Sequence, residues 1–139
     1  MKGKRPLLFD LQALLFWADE KVPAAVIQSV LAGGRVYVSP ISLWEFVLKE
    51  KRHPFDIDFF ELMGTVELLE GQILPIKNEH LRRLRLLPIV RDDHGKEHND
   101  PFDRLLVAQA LEEDFVLVGA DRMFPIYQKE FSLKLLWEF

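Results

Sequence analysis

Short apolar runs alternate along this chain with stretches of helical length, and that alternation restricts the fold more than any other feature. Leu7–Phe9, Val36–Val38, residues 73–76, Val116–Val118 and residues 133–137 each read as a strand, and helix-length amphipathic segments separate them. Such a pattern is that of βα units, so we expect an α/β fold with a parallel sheet covered by helices on both faces. Stop signals agree with it. Gly33-Gly34 closes a helix over Ala24–Leu31 and Gly71 closes one over residues 59–69, each just ahead of a strand. In NEHLRRLRLL the spacing puts Leu81, Leu84 and Leu87 on one side and arginines on another. The polar stretch IVRDDHGKEHN has no period and reads as a loop delivering the chain into a helix that carries Asp103. With 139 residues and 49% apolar content, the chain suffices for one core, and a single domain over residues 1–139 is expected.

Four carboxylates stand where this architecture would gather them. Asp10 ends LLFD, Glu45 lies in SLWEF, Asp103 follows DPF, and Asp121 follows FVLVGA. In an open parallel sheet the carboxyl ends of the strands share one edge, and ligands bind there. Ionised carboxylates about 6 Å apart repel by roughly 2–3 kcal/mol at an effective dielectric of about 20, so four together need protons or hard cations. A magnesium or manganese site built from oxygen ligands supplies that relief. Each acid also has a plainer reading. Asp10 could cap the following helix, and Asp121 a short helix over residues 122–127. Asp103 suits the first turn of its helix, although Asp100 is the better formal cap with Pro101 behind it. Glu45 differs, because Ile41, Leu43, Trp44, Phe46 and Val47 leave it little polar face; a buried carboxylate there calls for a cation or an arginine.

Other chemistries find less support. The absence of cysteine removes disulfides, thiolate zinc sites and a Cys nucleophile, and it suits a reducing compartment, with the cytoplasm as the expected location. The opening MKGKRPLLFDLQALLFW imitates a secretory signal, but Asp10 and Gln12 interrupt its apolar run, so neither a signal peptide nor a membrane span is expected. The net charge of −4 leaves any polyanion to be met by local patches. The runs Lys49, Lys51, Arg52, His53 and Arg82, Arg83, Arg85 read first as solvated faces. No HExxH, P-loop or nucleophile turn occurs, and His53, His80, His94 and His98 read as solvated or structural, with His94 and His98 near enough to the acids to touch a phosphate. Arg104 is a candidate for phosphate contact or an internal salt bridge. A receiver-like phosphoacceptor would want a Lys after a late strand, where VGADRMF has none, and a dehalogenase-type phosphatase would want an acid where Gln12 stands.

Taken together, LLFDLQALLFW, VYVSPISLWEF, DPFDRLLVAQA, FVLVGAD and the closing LKLLW resemble the PIN-domain ribonucleases, in particular the VapC-class toxins of toxin–antitoxin pairs. The resemblance implies a three-layer α/β/α sandwich around a parallel five-stranded sheet. It also implies that Asp10, Glu45, Asp103 and Asp121 form the family's acidic quartet, binding magnesium or manganese for hydrolysis of RNA. Beside them, Asp100 and Arg104 are expected from their own positions as supporting or phosphate-contacting groups. A cognate antitoxin and a homodimer come with the resemblance. Two stretches depart from the family pattern. Leu11 and Gln12 follow Asp10 where a hydroxyl residue and then His or Asn are usual, and Gly119 stands where Thr or Ser commonly precedes the last Asp. Such hydroxyls orient carboxylates and waters, so the alternative is a degenerate PIN module that binds RNA or a protein without efficient cleavage.

Overall fold

Leu7, Leu8 and Phe9 are all buried, and they form the central strand of a five-stranded, wholly parallel sheet. The computed structural model describes residues 4–139, so the first residues of the basic N-terminal stretch lie outside it. The elements run β1 (Leu7–Phe9), α1 (Leu11–Ala18), α2 (Ala24–Leu31), β2 (Val36–Val38), α3 (Pro40–Glu50), α4 (Phe59–Leu68), β3 (Gln72–Ile73), α5 (Asn78–Leu86), α6 (Pro101–Glu113), β4 (Val116–Val118), α7 (Phe124–Phe131) and β5 (Lys134–Leu136). The strand order is β3-β2-β1-β4-β5. Leu7, Leu8 and Phe9 pair with Val36, Tyr37 and Val38 on one flank and with Val116, Leu117 and Val118 on the other.

Side chains alternate across a strand, and the two faces of β1 seed two cores. Leu7 and Phe9 pack with Val36, Val38 and Val118 under α1, α2 and α4, while Leu8 and Leu117 pack with residues of α5, α6 and α7. This is the three-layer α/β/α arrangement. Successive strands β1, β2 and β3 build outward on one side, then the chain crosses back to add β4 and β5 on the other. The reversal opens a crevice beyond the carboxyl ends of β1 and β4. Asp10 and Asp121 follow those two ends.

Several elements differ from the sequence expectation for local physical reasons. The third strand covers Gln72–Ile73 instead of residues 73–76. Leu74 still donates its N–H to Val38 O, but Pro75 has no N–H to continue the ladder. The helix after β4 begins at Phe124, with Pro125 in its first turn, and continues to Phe131, past the expected 122–127. On α5 the fully buried residue is His80, while Leu84 packs partly buried against the core and Leu81 is 48% exposed. His80 turns inward because Lys77 N–H and Gln109 Nε2 lie against Nδ1 and Glu113 lies against Nε2 at 2.7 Å. The loop ahead of α6 carries only the isolated bridge Arg91–Glu97. Among the described residues no helix is long and apolar enough to cross a membrane.

Candidate active site

The four acids reach the site from different elements. Asp10 directly follows β1 and caps α1, its Oδ1 accepting from Ala13 N–H at 2.7 Å. Its backbone N–H donates to Val118 O at 3.0 Å, which locks it to the end of β4. Glu45 sits one turn into α3, which starts at the Ser39 cap and Pro40. It is buried as expected, although Trp44 and Val47 beside it face solvent. Asp103 lies in the first turn of α6 behind the Asp100 cap, whose Oδ1 accepts Asp103 N–H at 3.0 Å. Asp121 accepts Met123 N–H at 2.8 Å, which makes a turn ahead of α7 and not the helix cap.

Asp10, Glu45, Asp100, Asp103 and Asp121 line one cleft of about 220 Å³, together with Leu11, Gln12, Leu15, Lys49 and Phe55. The capping roles of Asp10 and Asp100 therefore coexist with a place in the cleft. Burial pushes the Asp10 carboxyl well above its usual value, against the Ala13 hydrogen bond, and the charges of Asp103, Glu45 and Asp121 push the same way. Asp103 is pushed up to about 6, chiefly by burial, against its bond to His98, with the charges of Asp100 and Asp121 adding to the rise. The cleft thus holds more negative charge than its own residues neutralise.

One cation within the chain partly answers it. Lys49 Nζ pairs with Glu45 Oε2 at 2.6 Å from the next turn of α3. Its burial would lower its pKa, yet the bond and charge of Glu45, with Asp100 and Asp103 behind, hold it above the ordinary lysine value. Sequence reasoning placed Lys49 in a solvated run; its spacing of four residues from Glu45 on one helix was the available signal. His98 is the second residue that reading undervalued. It is buried, with Nε2 3.3 Å from Asp103 Oδ2 and Nδ1 2.8 Å from the Tyr127 hydroxyl. His94, by contrast, stays exposed in the loop.

Arg104 gives its guanidinium to neutral acceptors. Its guanidinium turns away from the acids and donates to Leu87 O at 2.7 Å, Pro88 O at 3.1 Å and Tyr127 Oη at 3.1 Å. It is 9% exposed and, among the described residues, makes no salt bridge, so it fastens the entrance of the loop to α6. Residue type alone could not distinguish this from phosphate binding, because the carbonyls of residues 87 and 88 are distant in sequence.

The donor set fits a hard divalent cation. The acids offer carboxylate oxygens into a single cleft, no thiolate is present in the chain, and the raised carboxyl groups mark charge that a cation would neutralise. His98, Asp103 and Asp121 each present a ligand-type atom within 4.8 Å of the others.

The family model for the PIN domain matches residues 7–130. The chain belongs to the PIN domain family. No curated protein sequence matches it. The PIN fold is shared with solved VapBC structures at low identity. A VapBC-5 chain from Mycobacterium tuberculosis, described as a member of the VapBC family of toxin–antitoxin systems, has a TM-score of 0.65 at 15% identity, over 97% of this chain and 100% of that one. A chain of VapBC2 from Rickettsia felis, bound to a promoter DNA fragment, has a TM-score of 0.64 at 12% identity, over 95% and 98%. VapBC-1 from nontypeable Haemophilus influenzae gives 0.62 at 14% identity, over 94% and 96%.

The two departures from the PIN pattern have packing reasons in this chain. Leu11 is buried in the core beneath α1 and α4. A Cβ added at Gly119 would lie 2.5 Å from Asp10 Oδ2 and 2.7 Å from Phe124 Cε2. Asp10 and the Phe124 ring fill the space that a Thr or Ser side chain would need. Gln12, next along, lines the cleft.

Proposed function

We propose that this PIN protein is a divalent-metal-dependent endoribonuclease and the toxin member of a toxin–antitoxin pair. The observation that carries the reading is the meeting of Asp10, Glu45, Asp103 and Asp121 in one cleft at the carboxyl ends of β1 and β4. Asp10, Glu45 and Asp103 are the principal ligands for magnesium or manganese, and Asp121 supports the ion or its water. A bound ion of this kind lowers the pKa of a water and neutralises charge on the departing oxygen of a phosphodiester. Asp10 is held rigidly for its part by its bonds to Ala13 and Val118, which leave Oδ2 turned toward Gly119. Lys49 is the cation placed to meet a phosphate at the cleft wall when it releases Glu45.

The non-cleaving alternative draws on the hydroxyls missing at Leu11 and Gly119; the packing of both residues accounts for that absence, and the RNA assay separates the two readings. The VapBC likeness supports a small antitoxin as partner and a homodimer as the assembly, in the cytoplasm. The test is incubation of a mixed RNA pool with the purified protein, with and without manganese. Cleavage that requires the metal and vanishes in Asp103→Asn is expected. Folded wild-type protein that leaves RNA intact in manganese overturns the nuclease reading. Co-expression with a genomically adjacent small reading frame tests the pairing; no copurifying protein would count against it.

A further inference from the structure

We propose that His98 is a positioning residue for Asp103, donating through Nε2–H, and that Tyr127 and Arg104 keep it from serving as a metal ligand. This rests on the metal-dependent reading above. A guanidinium carries only donors. Arg104 Nη1 therefore donates to Tyr127 Oη at 3.1 Å, and the phenol oxygen accepts. The buried phenol has one proton of its own to place, and burial pushes its pKa up, so it keeps that proton. Among the described residues its remaining hydrogen-bond partner is His98 Nδ1, at 2.8 Å. Orphaning a buried O–H is costly, so Nδ1 accepts and carries no proton. The ring proton then sits on Nε2, which faces Asp103 Oδ2 at 3.3 Å.

The chain of donors runs one way, from Arg104 to Tyr127 to His98 to Asp103. Its direction decides between two roles that the positions of His98, Asp103 and Asp121 leave open. A ligating imidazole must turn a lone pair to the ion, and here Nε2 presents a proton instead. The centre is consequently an all-oxygen one, suited to magnesium or manganese more than to ions that favour imidazole. His98 is itself held in place. Its backbone N–H donates to Val90 O at 2.9 Å, and its ring meets that of Tyr127 edge-on at 5.5 Å.

Two measurements on the full chain test the assignment. Nitrogen-15 NMR of the metal-free protein, with the His98 ring assigned by its contacts to Tyr127, should show the Nε2–H tautomer. Tyr127→Phe should shift it toward Nδ1–H, whereas an Nδ1–H ring in wild type overturns the proposal. In manganese titration by calorimetry, His98→Gln keeps an amide donor near the Nε2 position and should hold affinity within about threefold, while His98→Ala should lose roughly 10–100-fold. Equal losses in two folded variants would remove the positioning role. A wild type that shows the Nε2–H tautomer yet binds no manganese refutes the metal reading and leaves the donor chain standing.

Discussion

At the scale of single residues, Gly119 and Asp103 state the demands of the cleft in opposite ways. Gly119 is not among the positive-φ glycines, and its constraint is space, with the Asp10 carboxylate and the Phe124 ring occupying the place of a Cβ. Gly119→Ala should therefore destabilise the protein by about 1–3 kcal/mol through overpacking. It should also weaken manganese binding, because Asp10 is the group that must move; melting and metal titration read the two effects separately. Asp103 titrates near 6 in the folded chain against an ordinary 3.8. Between those values the folded protein binds the proton and the unfolded chain does not, so stability of the metal-free protein falls as pH rises from about 4 through 6. Asp10, also raised, adds a change of the same sign. Asp103→Asn should flatten that fall and stabilise the metal-free protein at pH 7 by on the order of 2–3 kcal/mol. Melting curves in chelator across this range check it, and an unchanged slope in the variant would remove Asp103 as its source. The sequence disclosed the acids because strand ends and apolar surroundings mark them. It hid His98, whose meaning depends on Tyr127 and Arg104, both distant from it or from each other along the chain.

At the scale of elements, legibility followed the reach of the forces involved. Strands β1, β2 and β4 were readable because burial on both faces writes a continuous apolar run, and α6 was readable from Asp100 and Pro101. β3 and α7 were misplaced at their ends by Pro75 and Pro125, whose effect on where pairing or a helix stops depends on the neighbouring chain. α5 was legible in part: Leu84 and Leu87 reach the core as their spacing implied, while Leu81 faces solvent and His80 is drawn in by Glu113 and Gln109 on α6. Arg104 shows the same dependence on a neighbour. It joins α6 to the end of α5 through the carbonyls of Leu87 and Pro88. Arg104→Met keeps most of the stem but leaves those carbonyls and the Tyr127 hydroxyl oxygen without a donor, so a loss of about 2–4 kcal/mol in denaturant unfolding is expected. A change below about 0.5 kcal/mol would mean that water replaces the guanidinium, as it does at ordinary surface sites.

At the scale of the whole molecule, charge sets how RNA could be met. The chain carries 18 Lys and Arg against 22 Asp and Glu, so its long-range field does not draw in a polyanion. Some of its cations are already paired: Arg83 with Glu112, Arg91 with Glu97, Lys134 and Arg5 with Asp114, Lys49 with Glu45. The cleft that would receive the scissile phosphate is the most acidic part of the surface described above, and a phosphate brought there without a cation meets the five carboxyl groups that line it. Binding should consequently depend on the divalent ion more than on basic patches. A nuclease-resistant RNA analogue should bind at least about tenfold more tightly with manganese than in chelator, since neutralising even one close carboxylate–phosphate pair is worth roughly 1–3 kcal/mol at an effective dielectric near 20. Asp103→Asn should lose that enhancement, and the salt slope should stay shallow because few phosphates displace counterions. Fluorescence anisotropy with the analogue, repeated across salt concentrations, separates the cases. Tight binding in chelator with a steep salt slope would place RNA on a basic face outside the cleft, and the acids would then have to act on a phosphate held from elsewhere.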